Sequence, residues 1–245
     1  MEINKRLSSR VDRLSESKTL RMSRLSRELK EKGIDVISLS LGEPDFDTPA
    51  YIQNAAKQAI DDGYTYYPPV GGYMDLRKAI CDKYEQLYGW KTSTENVVVS
   101  NGAKQSLANL ILSIVDFDDD VLIPAPYWVT YPEQVNLAGG KYRTVNASVD
   151  QDYKITAEQL DNALTQQTRM FIFSSPSNPT GSVYSDQELH DLAMVFEKFP
   201  NLVIVSDEIY EHINFIGKPN SLAKYESLRQ RLVVVNGVSK GFAMT

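Results

Sequence analysis

Residues 201–210, NLVIVSDEIY, and residues 231–240, RLVVVNGVSK, each contain a run of apolar, mostly β-branched residues that turns abruptly polar. Because neither run alternates apolar with polar side chains, each predicts a strand that is buried on both faces. Further strands are predicted at NVVVS (96–100), DVLIP (120–124), KYRTVNA (141–147), RMFIF (169–173) and the beginning of IDVISLSLGEPDFDTP (34–49).

Helical segments separate these strands, and they are predicted at 50–60, 74–89, 104–115, 130–140 and 185–199. Thr48 and Pro49 suit the N-cap and first position of the helix that follows them, and Ser185 with Glu188 forms a capping-box pattern. Buried strands that alternate with helices indicate an α/β fold, in which helices cover both faces of a mainly parallel sheet.

The composition is that of an ordinary globular chain. Of 245 residues, 42% are hydrophobic and 24% are charged, the net charge is −6, and Cys81 is the single cysteine beside two histidines. One cysteine excludes an internal disulfide framework and does not suit a structural zinc site. The sequence has no apolar run of the roughly 18 residues that cross a membrane and no signal-peptide core. We therefore expect a cytoplasmic protein that holds no metal and binds neither membranes nor nucleic acid.

The first 32 residues are basic, with ten Lys or Arg against five Asp or Glu, which gives about +5 here and about −11 for the remainder. A transit peptide and a basic binding helix are alternatives, but the acidic residues do not suit a transit peptide. A solvated N-terminal arm and helix that ends at Gly33 fits the pattern better.

In open α/β sheets, ligands bind beyond the carboxyl ends of the strands, so the residues that follow each strand are candidates for a site. Lys240 follows the strand LVVV. A partly desolvated crevice lowers the pKa of a lysine amine and makes it nucleophilic, as a Schiff base with an aldehyde requires. Asp207 follows LVIV, where a carboxylate must be paired or hydrogen-bonded, either as a helix cap or against a cation. Taken alone, Lys240 is more typical of a solvated lysine.

Three other strands lead into candidate residues. The helix start at Gly102, Ala103 and Lys104 leaves backbone N–H groups free for an anion such as phosphate, although an ordinary helix start looks the same. Trp128 is placed to cover a planar ligand ring, or else it packs in the core or on the surface. Asn178 is placed to hydrogen-bond a ligand oxygen, or else it belongs to an ordinary Asn-Pro turn.

Together, these candidates match pyridoxal 5′-phosphate (PLP) group by group. They include a phosphate nest, a ring-stacking side chain, a partner for an oxygen, a carboxylate for the ring nitrogen and a lysine for the aldehyde. A nicotinamide site would not need the lysine, and a kinase site would need metal ligands. The joint arrangement predicts a PLP site at the carboxyl edge of the sheet.

Seven motifs carry a family resemblance: LGEPDFDTP (41–49), YTYYPPVGG (64–72), SNGAKQ (100–105), PYWVTYPE (126–133), SPSNPTG (175–181), VSDEIYEH (205–212) and SKGFAMT (239–245). From about Ser9 to its last residue, the chain resembles the class I/II, fold-type I aminotransferases, especially the bacterial aspartate aminotransferases. The resemblance implies a PLP-dependent transaminase acting between an L-amino acid, expected to be aspartate, and a 2-oxo acid, 2-oxoglutarate. It also implies an N-terminal arm with part of a small domain at 1–45, and a large PLP-binding domain at 46–245.

The resemblance also assigns roles to the candidates. Lys240 would form the Schiff base with PLP and later carry a proton between the substrate Cα and the cofactor. Asp207 would pair with the ring nitrogen. Asn178 and Tyr210 would hydrogen-bond the phenolic oxygen, and Trp128 would stack on the ring. Asn178 and Trp128 would also contact the substrate.

Other roles implied by the resemblance concern the phosphate and the substrate carboxylate. The backbone of residues 102–104 and the region of Ser239 would lie near the phosphate. Tyr67 would reach the phosphate of a neighbouring subunit, which implies a homodimer with shared active sites. Gly42 would lie beside the substrate carboxylate. As a departure from the family pattern, Gly237 stands where a phosphate-binding serine is frequent.

The family's sequence continues beyond this chain's last residue, Thr245. It next supplies a Gly-Trp-Arg-type segment whose arginine binds the phosphate, and a later arginine binds the substrate carboxylate. The resemblance therefore predicts the N-terminal part of an aminotransferase, incomplete at its C-terminus and with little activity on its own.

Two alternatives stay open. Other PLP enzymes of this fold, such as aromatic, alanine or prephenate aminotransferases and C–S lyases, share fold and cofactor, and these do not determine the reaction. Prephenate-using relatives typically have a lysine before Pro-Ser near the N-terminus, whereas the counterpart here is Ser15–Ser17. A non-catalytic, ligand-sensing module of a transcription regulator would need a DNA-binding domain, for which residues 1–32 are too short.

Overall fold

The computed structural model describes residues 7–16, 18–39, 42–217 and 220–245. Residues 1–6, 17, 40 and 41 of the predicted N-terminal unit, and with them one residue of the Ser15–Ser17 stretch, lie outside the described residues. The α-helices are α1 (Ser9–Asp12), α2 (Lys18–Glu31), α3 (Ala50–Asp61), α4 (Met74–Tyr88), α5 (Ala103–Ile114), α6 (Thr130–Ala138), α7 (Ala157–Ala163) and α8 (Asp186–Phe196). The strands are β1 (Asp120–Ala125), β2 (Lys141–Asn146), β3 (Thr168–Ser174), β4 (Val203–Asp207) and β5 (Leu232–Val235).

The five strands form one parallel sheet in the order β2-β1-β3-β4-β5. This confirms the predicted α/β fold. The register pairs Ser174 with Asp207, and Asp207 with Val235. The carboxyl ends of β3, β4 and β5 therefore lie side by side, and the segments that follow them emerge at one edge of the sheet.

Helices cover both faces of the sheet, as predicted. Along β3, Met170 and Ile172 belong to one buried cluster, while Phe171 and Phe173 belong to the other. The first cluster includes side chains of α5 and α6, and the second includes side chains of α7 and α8. Since successive side chains of a strand point to opposite faces, this division explains why the strands are apolar throughout.

Two predicted strands are wrong. Residues 34–39 and 97–100 form no strand, and Ile37 and Leu39 are largely exposed. A strand requires a neighbouring strand to receive its backbone hydrogen bonds. The Val99 amide instead donates to the Gly71 carbonyl at 3.0 Å, which ties this segment to a loop.

The capping predictions had mixed outcomes. Ser185 accepts from the Glu188 amide and Glu188 accepts from the Ser185 amide, which confirms the capping box of α8. Thr48 does not cap α3, because its hydroxyl donates to the Ala243 carbonyl at 2.6 Å and Pro49 takes the N-cap position. The prediction at Thr48 failed because a residue far along the chain competes for its hydroxyl. Helix α7 was not predicted.

The N-terminal helix α2 ends just before Gly33, which has a φ of +76°, as a helix C-terminus commonly requires. From residue 19 onward its side chains are exposed or half-buried, which confirms the predicted solvated helix. None of the helices in the described ranges is long and apolar enough to cross a membrane.

Candidate active site

Asp207 is the last residue of β4, and its side chain is only 3% exposed. Its carboxylate accepts hydrogen bonds from the Tyr131 hydroxyl at 2.7 Å and from the Ile209 amide at 3.2 Å. Burial raises the pKa of Asp207 to about 6, and the two hydrogen bonds partly oppose this increase. Within the described ranges, Asp207 forms no ion pair. It is therefore a buried acid without a cationic partner.

Tyr131, on α6, is a site residue that the sequence did not predict. Its side chain is almost fully buried, and burial together with the neighbouring Asp207 raises its pKa well above the usual value. Its ring meets that of Trp128 edge to face, with centroids 5.5 Å apart. Tyr131 lies within the conspicuous PYWVTYPE motif, but nothing in its spacing indicates a bond to a residue 76 positions away.

Trp128 is half-buried, in the short segment between β1 and α6. Besides the edge contact with Tyr131, the Lys104 ammonium lies 5.2 Å from the centre of its ring. An ammonium at this distance is attracted to the aromatic face. The structure thus brings together Trp128 and the start of α5, two features predicted separately.

The start of α5 has the predicted character. Gly102 is the N-cap residue with a φ of +88°, a conformation that favours glycine, and Ala103 is the first helical residue. The Gln134 side chain donates to the Lys104 carbonyl at 2.9 Å, which links α6 to this turn. The first-turn amides of a helix have no intrahelical acceptor, so this terminus is suited to an anion.

Asn178 and Tyr210 meet across the ends of β3 and β4. The Asn178 amide donates to the Tyr210 hydroxyl at 3.1 Å. Burial raises the pKa of Tyr210, and the hydrogen bond from Asn178 opposes that effect. Both side chains are half-buried and retain polar atoms for a further partner.

Lys240 lies in the loop after β5, with its side chain partly exposed. Its ammonium donates to the Gly42 carbonyl at 2.6 Å, which brings these two predicted residues together. Ser239, the residue before it, is half-buried. A Cβ on Gly237 would lie 3.0 Å from the Cδ1 atom of Ile209, so a larger residue there would require the end of that side chain to shift.

Tyr67 is fully exposed. In the part of the chain that is described, no group of three or more His, Cys, Asp or Glu side chains is placed to hold a metal ion. The candidate site offers a buried acid, a flat aromatic side chain, an amide–phenol pair, a helix N-terminus and an accessible amine.

Two further buried acids, Glu208 and Glu211, were also not predicted. Glu208 is 2% exposed and accepts from the hydroxyls of Ser206 and Ser221 at 2.9 and 2.6 Å. Burial raises the pKa of Glu208 to about 8, despite these hydrogen bonds. The only sequence signal was their place in the VSDEIYEH motif, which also contains Asp207.

The sequence model of the family "Aminotransferase class I and II" matches residues 34–245. The aspartate/prephenate aminotransferase of Nitrosomonas europaea is 44% identical over 242 residues, covering 98% of this chain and 61% of that protein. The aspartate aminotransferase of Bacillus subtilis is 43% identical over 242 residues, with the same shares of 98% and 61%.

Solved structures give the same result. The aspartate aminotransferase of Rhizobium meliloti superposes with a TM-score of 0.93 at 36% identity, covering 98% of this chain and 60% of that one. The aspartate aminotransferase of Thermus thermophilus with maleate gives a TM-score of 0.92 at 37% identity, covering 97% and 62%. This chain spans about 61% of the length of the curated relatives it matches. By its match over residues 34–245, the chain belongs to the class I and II aminotransferases.

Proposed function

We propose that this chain carries the cofactor-binding site of a PLP-dependent transaminase, which moves an amino group between aspartate and 2-oxoglutarate. The observation that carries the proposal is the buried carboxylate of Asp207, which among the described residues is hydrogen-bonded to the Tyr131 hydroxyl and the Ile209 amide but paired with no cation, at the sheet edge where Lys240 also emerges. A buried carboxylate without a compensating charge is costly, and the protonated ring nitrogen of PLP would supply that charge.

The neighbouring residues fit the other groups of PLP. Trp128 offers a flat ring, and the start of α5 offers backbone amides for the phosphate. Asn178 and Tyr210 are hydrogen-bonded to each other at 3.1 Å and would share the phenolic oxygen. By the family resemblance, Ser239 would also lie near the phosphate.

When bound, PLP supplies an aldehyde and a ring that withdraws electrons from the substrate. Lys240 would hold the cofactor through its amine, and the same amine would accept the proton from the substrate Cα. Asp207 would hold the proton on the ring nitrogen of PLP. Tyr210 would orient the ring through a hydrogen bond to the phenolic oxygen of PLP. Gly42, whose carbonyl now accepts from Lys240 at 2.6 Å, would lie beside the substrate carboxylate.

Substrate, subunit arrangement and cell location belong to the same proposal. The choice of aspartate rests on the names of the relatives, which are those of enzymes and so favour a transaminase over a ligand-sensing module. The fully exposed Tyr67 supports a homodimer in which this residue reaches the neighbouring subunit's phosphate. We further propose the two units 1–45 and 46–245, and a cytoplasmic location that suits the free Cys81.

The test is to add PLP to the chain and to compare it with Lys240→Ala. The wild type is expected to gain a visible absorption band that borohydride abolishes, with the reduced cofactor attached to the Lys240 peptide in mass spectra. Lys240→Ala should show neither. Absence of the cofactor from the wild-type Lys240 peptide would refute the site assignment.

A donor panel then tests the substrate. Even at a low overall rate, excess aspartate should remove the visible absorption band faster than alanine, phenylalanine or tyrosine does, because the relatives that support the proposal are named for aspartate. A faster reaction with another donor would replace aspartate as the proposed substrate while leaving the cofactor site intact.

A further inference from the structure

Glu211 lies four residues beyond Asp207, and its side chain is buried. One of its carboxylate oxygens accepts from two donors. The Asn236 amide donates to it at 2.5 Å, and the Lys83 ammonium donates to it at 2.6 Å. A single oxygen therefore joins helix α4, the turn after β4 and the loop after β5.

We define residues 236–243 as the lysine loop, because it carries Lys240. The Asn236 side chain uses its carbonyl oxygen to accept from the Gly237 amide at 2.7 Å, while its amide group donates to Glu211. Asn236 thus connects the first turn of the lysine loop to a buried charge. Within the loop itself, the Phe242 amide donates to the Val238 carbonyl at 3.2 Å.

His212, the residue after Glu211, contacts the C-terminal end of the lysine loop. Its ring meets that of Phe242 edge to face, with centroids 5.1 Å apart. A Cβ on Gly241 would come within 2.8 Å of the His212 side chain, so the loop passes too close for any larger residue. Both ends of the lysine loop therefore rest on two consecutive residues of one turn.

That same turn follows Asp207 directly and contains Tyr210, the two residues proposed to hold the ring of PLP. An anchor for the lysine loop on this turn would set the amine of Lys240 relative to the ring. The Lys83 ammonium compensates the buried Glu211 carboxylate, and its own side chain is 33% exposed. A hydrogen bond to a charged group is stronger than one between neutral groups, so the bond from Asn236 to the Glu211 carboxylate should hold the first turn of the lysine loop in place.

We propose that Glu211 is a positioning residue, which holds the lysine loop through Asn236 and so sets Lys240 relative to Asp207. The consequence for the cofactor rests on the proposed function, whereas the anchoring of the loop does not. Glu211 touches neither Lys240 nor Asp207 in this role, because its effect passes through the Asn236 side chain.

Hydrogen exchange of the cofactor-free chain tests the anchoring. Asn236→Ala should speed exchange of the Phe242 amide, which donates to the Val238 carbonyl inside the loop, by about 10- to 100-fold, the range expected for loss of a hydrogen bond to a charged group. Glu211→Gln keeps an acceptor oxygen but loses the charge, so it should have a smaller effect in the same direction. Because both substitutions act on the same Asn236–Glu211 hydrogen bond, their effects should be less than additive in the double variant. The amides of β4 and β5 should be unaffected.

The matched control is Lys78→Met. Lys78 lies on the same helix as Lys83 and pairs with Asp82 at 2.6 Å, but on the exposed face. The Lys78→Met variant should leave hydrogen exchange in the lysine loop unchanged. Asn236→Ala keeps the Lys83–Glu211 pair, so it should fold even if Glu211→Gln does not. Wild-type exchange rates in Asn236→Ala would overturn the proposal.

PLP uptake gives a second readout that a purely structural contact would not change. Asn236→Ala should need about tenfold more PLP than the wild type for the same borohydride-sensitive visible absorption, while Lys78→Met should match the wild type. If the wild type takes up PLP and Asn236→Ala takes it up equally well, the positioning role is refuted and the proposed function stands. If the wild type takes up none, the proposed function fails and hydrogen exchange alone decides the anchoring.

Discussion

Replacing Asp207 with asparagine should change how the stability of the cofactor-free chain depends on pH. The wild-type carboxylate is buried, and among the described residues it accepts side-chain hydrogen bonds only from the Tyr131 hydroxyl and the Ile209 amide. Ionising it in this surrounding costs free energy. The asparagine variant keeps a similar shape but cannot ionise, so it should escape the cost at every pH.

The sign follows from proton binding. Burial raises the pKa of Asp207 from its ordinary value of 3.8 to about 6. Between these two values the folded chain holds a proton that the unfolded chain has lost, so the free energy of unfolding falls as the pH rises. The whole shift corresponds to about 3 kcal/mol, of which about 1.4 kcal/mol is lost between pH 5 and pH 8.

The assay is urea unfolding of both chains, without cofactor, at several pH values from 5 to 8. The free energy of unfolding of Asp207→Asn minus that of the wild type should rise by about 1.4 kcal/mol over this range. The titration of other groups cancels in this difference, and any constant cost of the amide shifts the difference equally at every pH. Asp191→Asn, at an exposed position on α8, controls for the loss of one negative charge. A difference that stays constant from pH 5 to pH 8 would refute the assignment of a raised pKa to Asp207.

Two further substitutions test individual hydrogen bonds. Tyr131→Phe removes the hydroxyl that donates to Asp207 at 2.7 Å and lowers its pKa. In urea unfolding, the free energy of unfolding should fall by about 1.5–3 kcal/mol at pH 8, where Asp207 is ionised, and by less at pH 5. Equal losses at the two pH values would contradict this reasoning. Ser185→Ala removes the N-cap of α8 and should cost about 1 kcal/mol of unfolding free energy, whereas Ser113→Ala, in the last turn of α5, removes no N-cap and should cost less.

Much of the site was predictable because the carboxyl ends of parallel strands meet at one edge of a sheet. That rule alone groups Trp128, Asn178, Asp207 and Lys240, although they are far apart in the sequence. The rule does not place Tyr131, because this residue belongs to a helix and reaches Asp207 only when the helix packs on the sheet. Residues whose role depends on a helix-to-strand contact therefore escaped prediction.

The errors in the fold have a similar origin. Residues 96–100 have the composition of a strand, but a strand also needs a partner for its backbone, and the Val99 amide finds one in a loop. Thr48 has the right side chain for an N-cap, but the Ala243 carbonyl takes its hydroxyl. In both cases a distant part of the chain competes for a hydrogen bond that local sequence would assign elsewhere.

By itself, the sequence determined the local properties of this protein. Strands that are apolar on both faces must be buried, a capping box starts α8, and a lysine follows the last strand. Only the tertiary structure decided which groups share a hydrogen bond and how far each is removed from water. The raised pKa of Asp207 and the link from Lys83 through Glu211 to Asn236 both depend on that burial. Burial is a property of the assembled elements, since it requires side chains from helices and strands distant in sequence to exclude the solvent together.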